Sequence, residues 1–330
     1  MHAAAFSPRG GVAPKTTRLR GQSIIEYVLI IAVIGLVIVF AGPGVAGAIR
    51  NQFNLVGNTV NNGTTGGAEG DGATGGGSAG ADSATVQAAI AKDAKDWTLG
   101  EQQAVAEDIA ARGEASPAYA KAKAAMDAGA KFTMKLTDGQ TLEYRIIGIN
   151  HDDLADGSGK AGLTFLTTST GIKSRMNATV TSAGGWERSE LRQKMNSGDI
   201  WNLMPSEFQS KVKTVTKLTN NVGGTDKNAA VTATSDKLFL LSYSEIVETP
   251  YSGWSGYSWI GNEGTQYEAF KGKVTENYSG NDCLKIGSGW WERSVCSSYS
   301  VGFLIVSSSG DPSSDDAAAD SYCVCPAFSF

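Results

Sequence analysis

Histidine is nearly missing from this chain: its 330 residues hold two, His2 and His151. A histidine-based nucleophile triad or a histidine-rich metal centre has almost no material to work with. The four cysteines, Cys283, Cys296, Cys323 and Cys325, include no zinc-type spacing beyond a bare Cys323-Val324-Cys325. No enzyme, cofactor or metal is therefore expected. Cations are also scarce, 28 Lys and Arg against 33 Asp and Glu, for a formal charge of −5. Four of them, Arg9, Lys15, Arg18 and Arg20, lie in the first 21 residues, which carry no acid, so the remainder falls to −9. A basic footprint for nucleic acid is lacking. His151-Asp152-Asp153 with Asp156-Gly157 lacks the D-x-[DN]-x-[DN]-G order and later glutamate of a calcium loop, and reads as an acidic surface turn.

A second absence is local. Residues 295–325 contain no Lys, Glu, Gln, Trp or Met, although those five types make up 55 of the 330 residues. Chance absence over that stretch is on the order of a few per thousand. The plain alternative is an exposed, loop-rich end built from Gly, Ser and Asp, with 302–307 as an ordinary core strand.

What is present at the other end is a basic leader, Arg20-Gly21-Gln22-Ser23-Ile24-Ile25-Glu26-Tyr27, running into an apolar segment. From Ser23 to Phe40 there are eighteen residues and one charge, about enough to cross a hydrocarbon core as a helix. The cationic leader predicts that residues 1–21 stay cytoplasmic. Glu26 costs about 2.5–3.5 kcal/mol inside such a segment, so it needs a partner. The stretch resembles the start of Flp (Tad) class type IV prepilins. That resemblance implies cleavage by a prepilin peptidase between Gly21 and Gln22. It also implies assembly contacts through Glu26 and Tyr27, with Glu26 meeting the freed amine of a neighbouring pilin subunit. The protein would sit in the cytoplasmic membrane as a prepilin, then in an extracellular pilus or on the cell surface. Ala46-Gly47-Ala48 offers the alternative of an ordinary secretory signal or simple membrane anchor.

The chain then divides into a leader (1–21), a transmembrane and assembly helix (22–56), a flexible Gly-rich linker (57–83) and a head (84–330). In the head, 84–94, 99–112 and 116–126 show helical spacing, with Gly113 and Gly129 as stops. From Lys131 the period changes to two. Phe132, Met134 and Leu136 alternate, Asp138-Gly139 signals a hairpin, and 142–149 returns as a strand. Further strands are expected at 163–168 and 237–243, and helices at 189–196 and 205–213. The expected class is α+β.

Landmarks in order from Trp97 onward resemble an uncharacterised extracellular domain family of gut Gram-positive bacteria with a C-type-lectin-like fold. They are Tyr144-Arg145-Ile146-Ile147-Gly148-Ile149-Asn150-His151-Asp152-Asp153, Gly184-Gly185-Trp186-Glu187-Arg188-Ser189, Asp236-Lys237-Leu238-Phe239-Leu240-Leu241-Ser242, Gly264-Thr265-Gln266-Tyr267-Glu268, Trp290-Trp291-Glu292-Arg293-Ser294 and Pro326-Ala327-Phe328. The residue types missing from 295–325 are those unreachable from codons ending in a pyrimidine. That is similar to the targets of diversity-generating retroelements, whose variable face lies near the C-terminus. The resemblance implies an adhesin or minor pilin that binds an unknown protein or glycan through Val295, Cys296, Ser297, Ser298, Tyr299, Val301, Ser313, Ser314, Asp316, Asp320 and Tyr322. Trp291 and Arg293 would frame that site, and Phe303, Ile305 and Phe328 would lie in the core. A major structural pilin is the alternative. Sequence leaves three cysteine connectivities open; Cys296 with Cys323 would bridge the two ends of the variable stretch, with Cys283 and Cys325 as the remaining pair.

Overall fold

The computed structural model describes residues 83–330 other than Thr275, Glu276, Ser279 and Ser298. Three helices open the described chain: α1 (Ser83–Ile90), α2 (Leu99–Arg112) and α3 (Tyr119–Asp127). Thr98 starts α2 with a capping box, its hydroxyl accepting from Glu101 N while its own N–H donates to the Glu101 carboxylate at 2.7 Å. Two orphan donors are satisfied at once. The third helix begins three residues later than the Ser-Pro signal suggests, because Ser116 stays extended with its hydroxyl on Asp108.

Strands β1 (Lys131–Lys135) and β2 (Thr141–Ile149) form the expected hairpin, with Gly139 at φ 86° in its turn. Strands β3 (Leu163–Thr167) and β11 (Ala327–Ser329) complete an antiparallel sheet in the order β1-β2-β3-β11. Its inner face carries Phe132, Tyr144, Phe165 and Phe328, buried and with ring centroids 5.2–5.7 Å apart in stacked and edge pairs. Each such side chain stabilises the fold by about 1.5–3 kcal/mol through burial. The Tyr144 hydroxyl donates to Gln102 of α2 at 3.1 Å, tying helix to sheet. The backbones approach closely there. A Cβ on Gly162 would stand 1.8 Å from the Ala106 carbonyl oxygen, so only glycine fits.

The second sheet has the order β4-β10-β7-β8-β9, from β4 (Lys173–Ser174), β7 (Trp290–Val295), β8 (Gly302–Val306), β9 (Ser314–Ala317) and β10 (Tyr322–Cys323). A separate hairpin joins β5 (Val215–Asn220) and β6 (Val231–Asp236). Short helices α4 (Gly185–Arg188), α5 (Glu190–Asn196), α6 (Asp199–Leu203), α7 (Ser206–Lys211) and α8 (Tyr243–Ile246) fill the connections.

Two expectations need correction. Among the described residues no helix is long and apolar enough to cross a membrane; the longest, α2, has 14 residues. The expected architecture of membrane helix, tether and lectin-like head is replaced by a mixed helix and sheet domain. The assembly helix at 22–56 and nearly all of the linker at 57–83 lie outside the described residues. Secondly, 237–243 is not a strand. Leu238, Phe239, Leu240 and Leu241 are wholly buried, but only Phe239 makes a bridge, to Ala327. Apolar packing on every side, not a ladder, accounts for that run.

Candidate functional site

The structure separates the residues expected to bind ligand. Val295, Cys296 and Ser297 are buried, a correction to their expected exposure. Strand β7 runs between β10 and β8, Val295 pairs with Phe303, and Cys296 N donates to the Gly302 carbonyl. The peptide after the strand is covered too: a Cβ on Gly224 would stand 1.7 Å from the Cys296 carbonyl oxygen. Ser298, like Gly21, Gln22, Glu26 and Tyr27, lies outside the described residues. Tyr299 and Val301 are exposed, Tyr299 at 59%. Ser313, Ser314 and Asp316 are half-buried on and beside β9, Asp320 is exposed, and Tyr322 is half-buried on β10. The Tyr322 hydroxyl donates to the Asp316 carboxylate, and that bond is the main reason its pKa is pushed up to about 12. Trp291 and Arg293 are wholly buried, as are Phe303 and Phe328, with Ile305 nearly so.

Two further side chains join the exposed pair. Ser182 N donates to the Ser300 carbonyl at 2.8 Å, and Gly184 N to the Val222 carbonyl at 3.2 Å. Three segments are thereby tied side by side, carrying Val180, Val222, Tyr299 and Val301. Of the six large apolar side chains exposed among the described residues, these are four. Sequence reasoning missed Val180 and Val222. The available signal was a lone valine in each of two polar, glycine-bearing loops.

Behind this face lies a buried charge network. Lys217 of β5 reaches Asp152 at 2.6 Å and Glu245 at 2.5 Å; Arg293 of β7 reaches the other Glu245 oxygen at 2.5 Å. Arg293 also donates to the carbonyls of Leu240 and Glu263, both at 2.7 Å, and to Thr219 Oγ1 at 2.9 Å. Tyr267 donates to Asp152 at 2.8 Å. Burial alone would raise the Glu245 carboxyl, but Arg293 and Lys217 outweigh it and hold the pKa below the usual range. Asp152 is held low against burial by Lys217 and His151. Glu263 behaves oppositely. Burial pushes it up to about 7 despite hydrogen bonds from Ser294 and from Asn220 N. Glu292 is likewise raised well above its ordinary value by burial and by Glu263, and neither of its oxygens has a hydrogen-bond partner. Two cations therefore face two firmly ionised carboxylates, with Glu263 and Glu292 poised to stay protonated.

The acidic turn at 151–153 is corrected by the same contacts. Asp153 is exposed, but Asp152 is buried and His151 stacks on the Tyr267 ring with centroids 4.0 Å apart, its Nδ1 3.2 Å from Glu268. Among the described residues no group of His, Cys, Asp and Glu is placed to hold a metal ion. The expected cysteine pairs are not formed either. All four thiols are free, Cys296, Cys323 and Cys325 buried and Cys283 half-buried.

No curated protein and no solved structure matches the chain, so the lectin-like description of the head has no structural relative to stand on. A family profile does match, covering β3 to β11, the hairpin β5-β6, the face and most of the charge network, while β1, β2 and Asp152 fall outside it. With residues 161–330 matched, more than half its length, this chain belongs to the family described as a domain of unknown function (DUF6273).

Proposed function

We propose that the chain is a surface-displayed binding protein that holds its ligand on the face formed by Tyr299, Val301, Val180 and Val222. The observation that carries this reading is the gathering of four of the six exposed large apolar side chains on three hydrogen-bonded segments. An exposed apolar cluster on a polar surface marks an interaction site. Tyrosine supplies large contact area at low conformational entropy, and the buried ionic network fixes the frame beneath it. The basic leader, Gly21-Gln22 and Glu26 support display through processing by a prepilin peptidase and association with pilin subunits. Any sequence diversification would act on the residues of 295–325 that are exposed, since Val295, β8 and 323–325 are core.

Beads coated with the full-length chain and laid on arrays of immobilised glycans and matrix proteins test the reading. Retention on at least one member is expected, and the double variant Tyr299→Ser, Val301→Ser should lose about tenfold or more, as a hot-spot aromatic contributes roughly 2 kcal/mol. Tyr278→Ser, an exposed tyrosine on another segment, should change nothing. Equal retention of the double variant, or none by the parent, rejects the face. Mass spectrometry of the surface fraction should find Gln22 as the first residue; an intact leader or a start beyond Ala48 rejects the display route.

A further inference from the structure

Away from this face, a cleft of about 640 Å³ lies between the outer side of the four-stranded sheet and the segment 282–286. Alternation along β2 turns Leu142, Tyr144 and Ile146 into the core, which leaves Thr141, Glu143 and Arg145 on the opposite side. The loop after β3 closes one wall, held by Thr168 N on the Glu143 carbonyl at 2.9 Å and by Glu143 N on Ser169 Oγ at 2.6 Å. The volume suits a small molecule.

The charges in the cleft are uneven. Lys131 is paired with Glu143 at 2.8 Å and Lys285 with Asp282 at 2.7 Å. Arg145 has no carboxylate partner among the described residues. Its Nη2 donates to the Cys283 carbonyl at 2.6 Å and its Cζ lies 5.7 Å from the Phe270 ring centroid, but its buried Nε is without an acceptor. The buried Thr168 hydroxyl, on the same cleft, is also unpartnered. A guanidinium on the cleft wall that meets no carboxylate leaves one uncompensated positive charge there, a receptor for an anion.

We propose that the cleft binds a monocarboxylate. The carboxylate pairs with the Arg145 guanidinium, and the apolar body of the ligand lies against Ile286 and Trp290, which line the same cleft. The planar guanidinium fork matches a carboxylate, and the single free charge balances a monoanion and not a dianion such as a phosphate ester.

Cys283 gives a direct readout, because it lines the cleft and is the one free thiol that is not buried. In the native full-length chain, alkylation at Cys283 by iodoacetate, itself a monocarboxylate, is compared with neutral iodoacetamide by peptide mass spectrometry. A free cysteine prefers the neutral reagent. Here iodoacetate should show saturation, with an iodoacetate-to-iodoacetamide rate ratio about tenfold above that of the urea-unfolded chain. Acetate should protect and acetamide should not. Arg145→Gln should return the ratio to the unfolded value. A ratio within about twofold of the unfolded chain's overturns the proposal, as does a ratio that acetate leaves unchanged. Protection by inorganic phosphate at lower concentration than acetate overturns the monocarboxylate assignment. Should Arg145→Gln fail to fold, the rate ratio and acetate protection of the parent chain decide the question alone.

Discussion

Glu245→Gln should cost the folded protein about 3–5 kcal/mol, read as a lowered denaturation midpoint of the full-length chain with unchanged slope. Glu245 is the carboxylate that both buried cations share, one oxygen on Lys217 and the other on Arg293. Its carboxylate also accepts from Ser242 N at 3.0 Å, closing the capping box of α8. Glutamine keeps the shape and an acceptor but removes the charge. Lys217 would retain Asp152, whereas Arg293 would be left with carbonyl and hydroxyl acceptors and no ionised partner. An uncompensated charge at such depth is what makes breaking a buried pair expensive, although the intact pair itself adds little over an apolar replacement. Glu248→Gln, on an exposed neighbour, should stay within about 0.5 kcal/mol. Equal midpoints for the two variants would show that the network does not hold β5, β7 and α8 together.

Stability should also peak in mildly acidic solution and fall toward neutrality. Burial raises Glu263 from an ordinary 4.5 to about 7, so between those values the unfolded chain ionises while the folded one keeps its proton. Folding then takes up a proton, and stability drops with rising pH by about 1.4 kcal/mol per unit, roughly 3 kcal/mol over that interval. Glu292, raised by burial and by Glu263, acts in the same direction. On the acid side the sign reverses. Asp152 and Glu245 are held below their ordinary 3.8 and 4.5, so their contribution is lost as pH falls below those values. The melting temperature should therefore be highest near pH 5 and decline toward pH 8, and Glu263→Gln should flatten part of that decline. A melting temperature that rises from pH 5 to pH 8 would falsify the assignment of Glu263 as a buried acid.

The sequence by itself determined the elements whose causes lie within a few residues of them. The helical spacing over 99–112 gives α2, Gly113 its end, and the alternation of Phe132 and Met134 around Asp138-Gly139 gives the first hairpin with its core face. Period, glycine stops and turn chemistry are local, so they can be read along the chain. The tertiary structure decided everything that depends on a distant partner. Asp152 looked like part of a solvated turn until Lys217, 65 residues on, placed a cation against it. Val295 to Ser297 have the composition of a surface loop and are buried because the turn at Gly224 covers their backbone. The run at 237–243 has the apolarity of a strand, but packing on all sides leaves it without a ladder. Arg145 was legible only as one residue of a conspicuous motif. That its guanidinium lines a cleft and meets no carboxylate among the described residues follows from the sheet's outer side and the 282–286 segment, more than 130 residues apart in sequence. Burial and charge compensation are properties of space and not of order along the chain, so the binding face and the anion cleft emerged only with the fold.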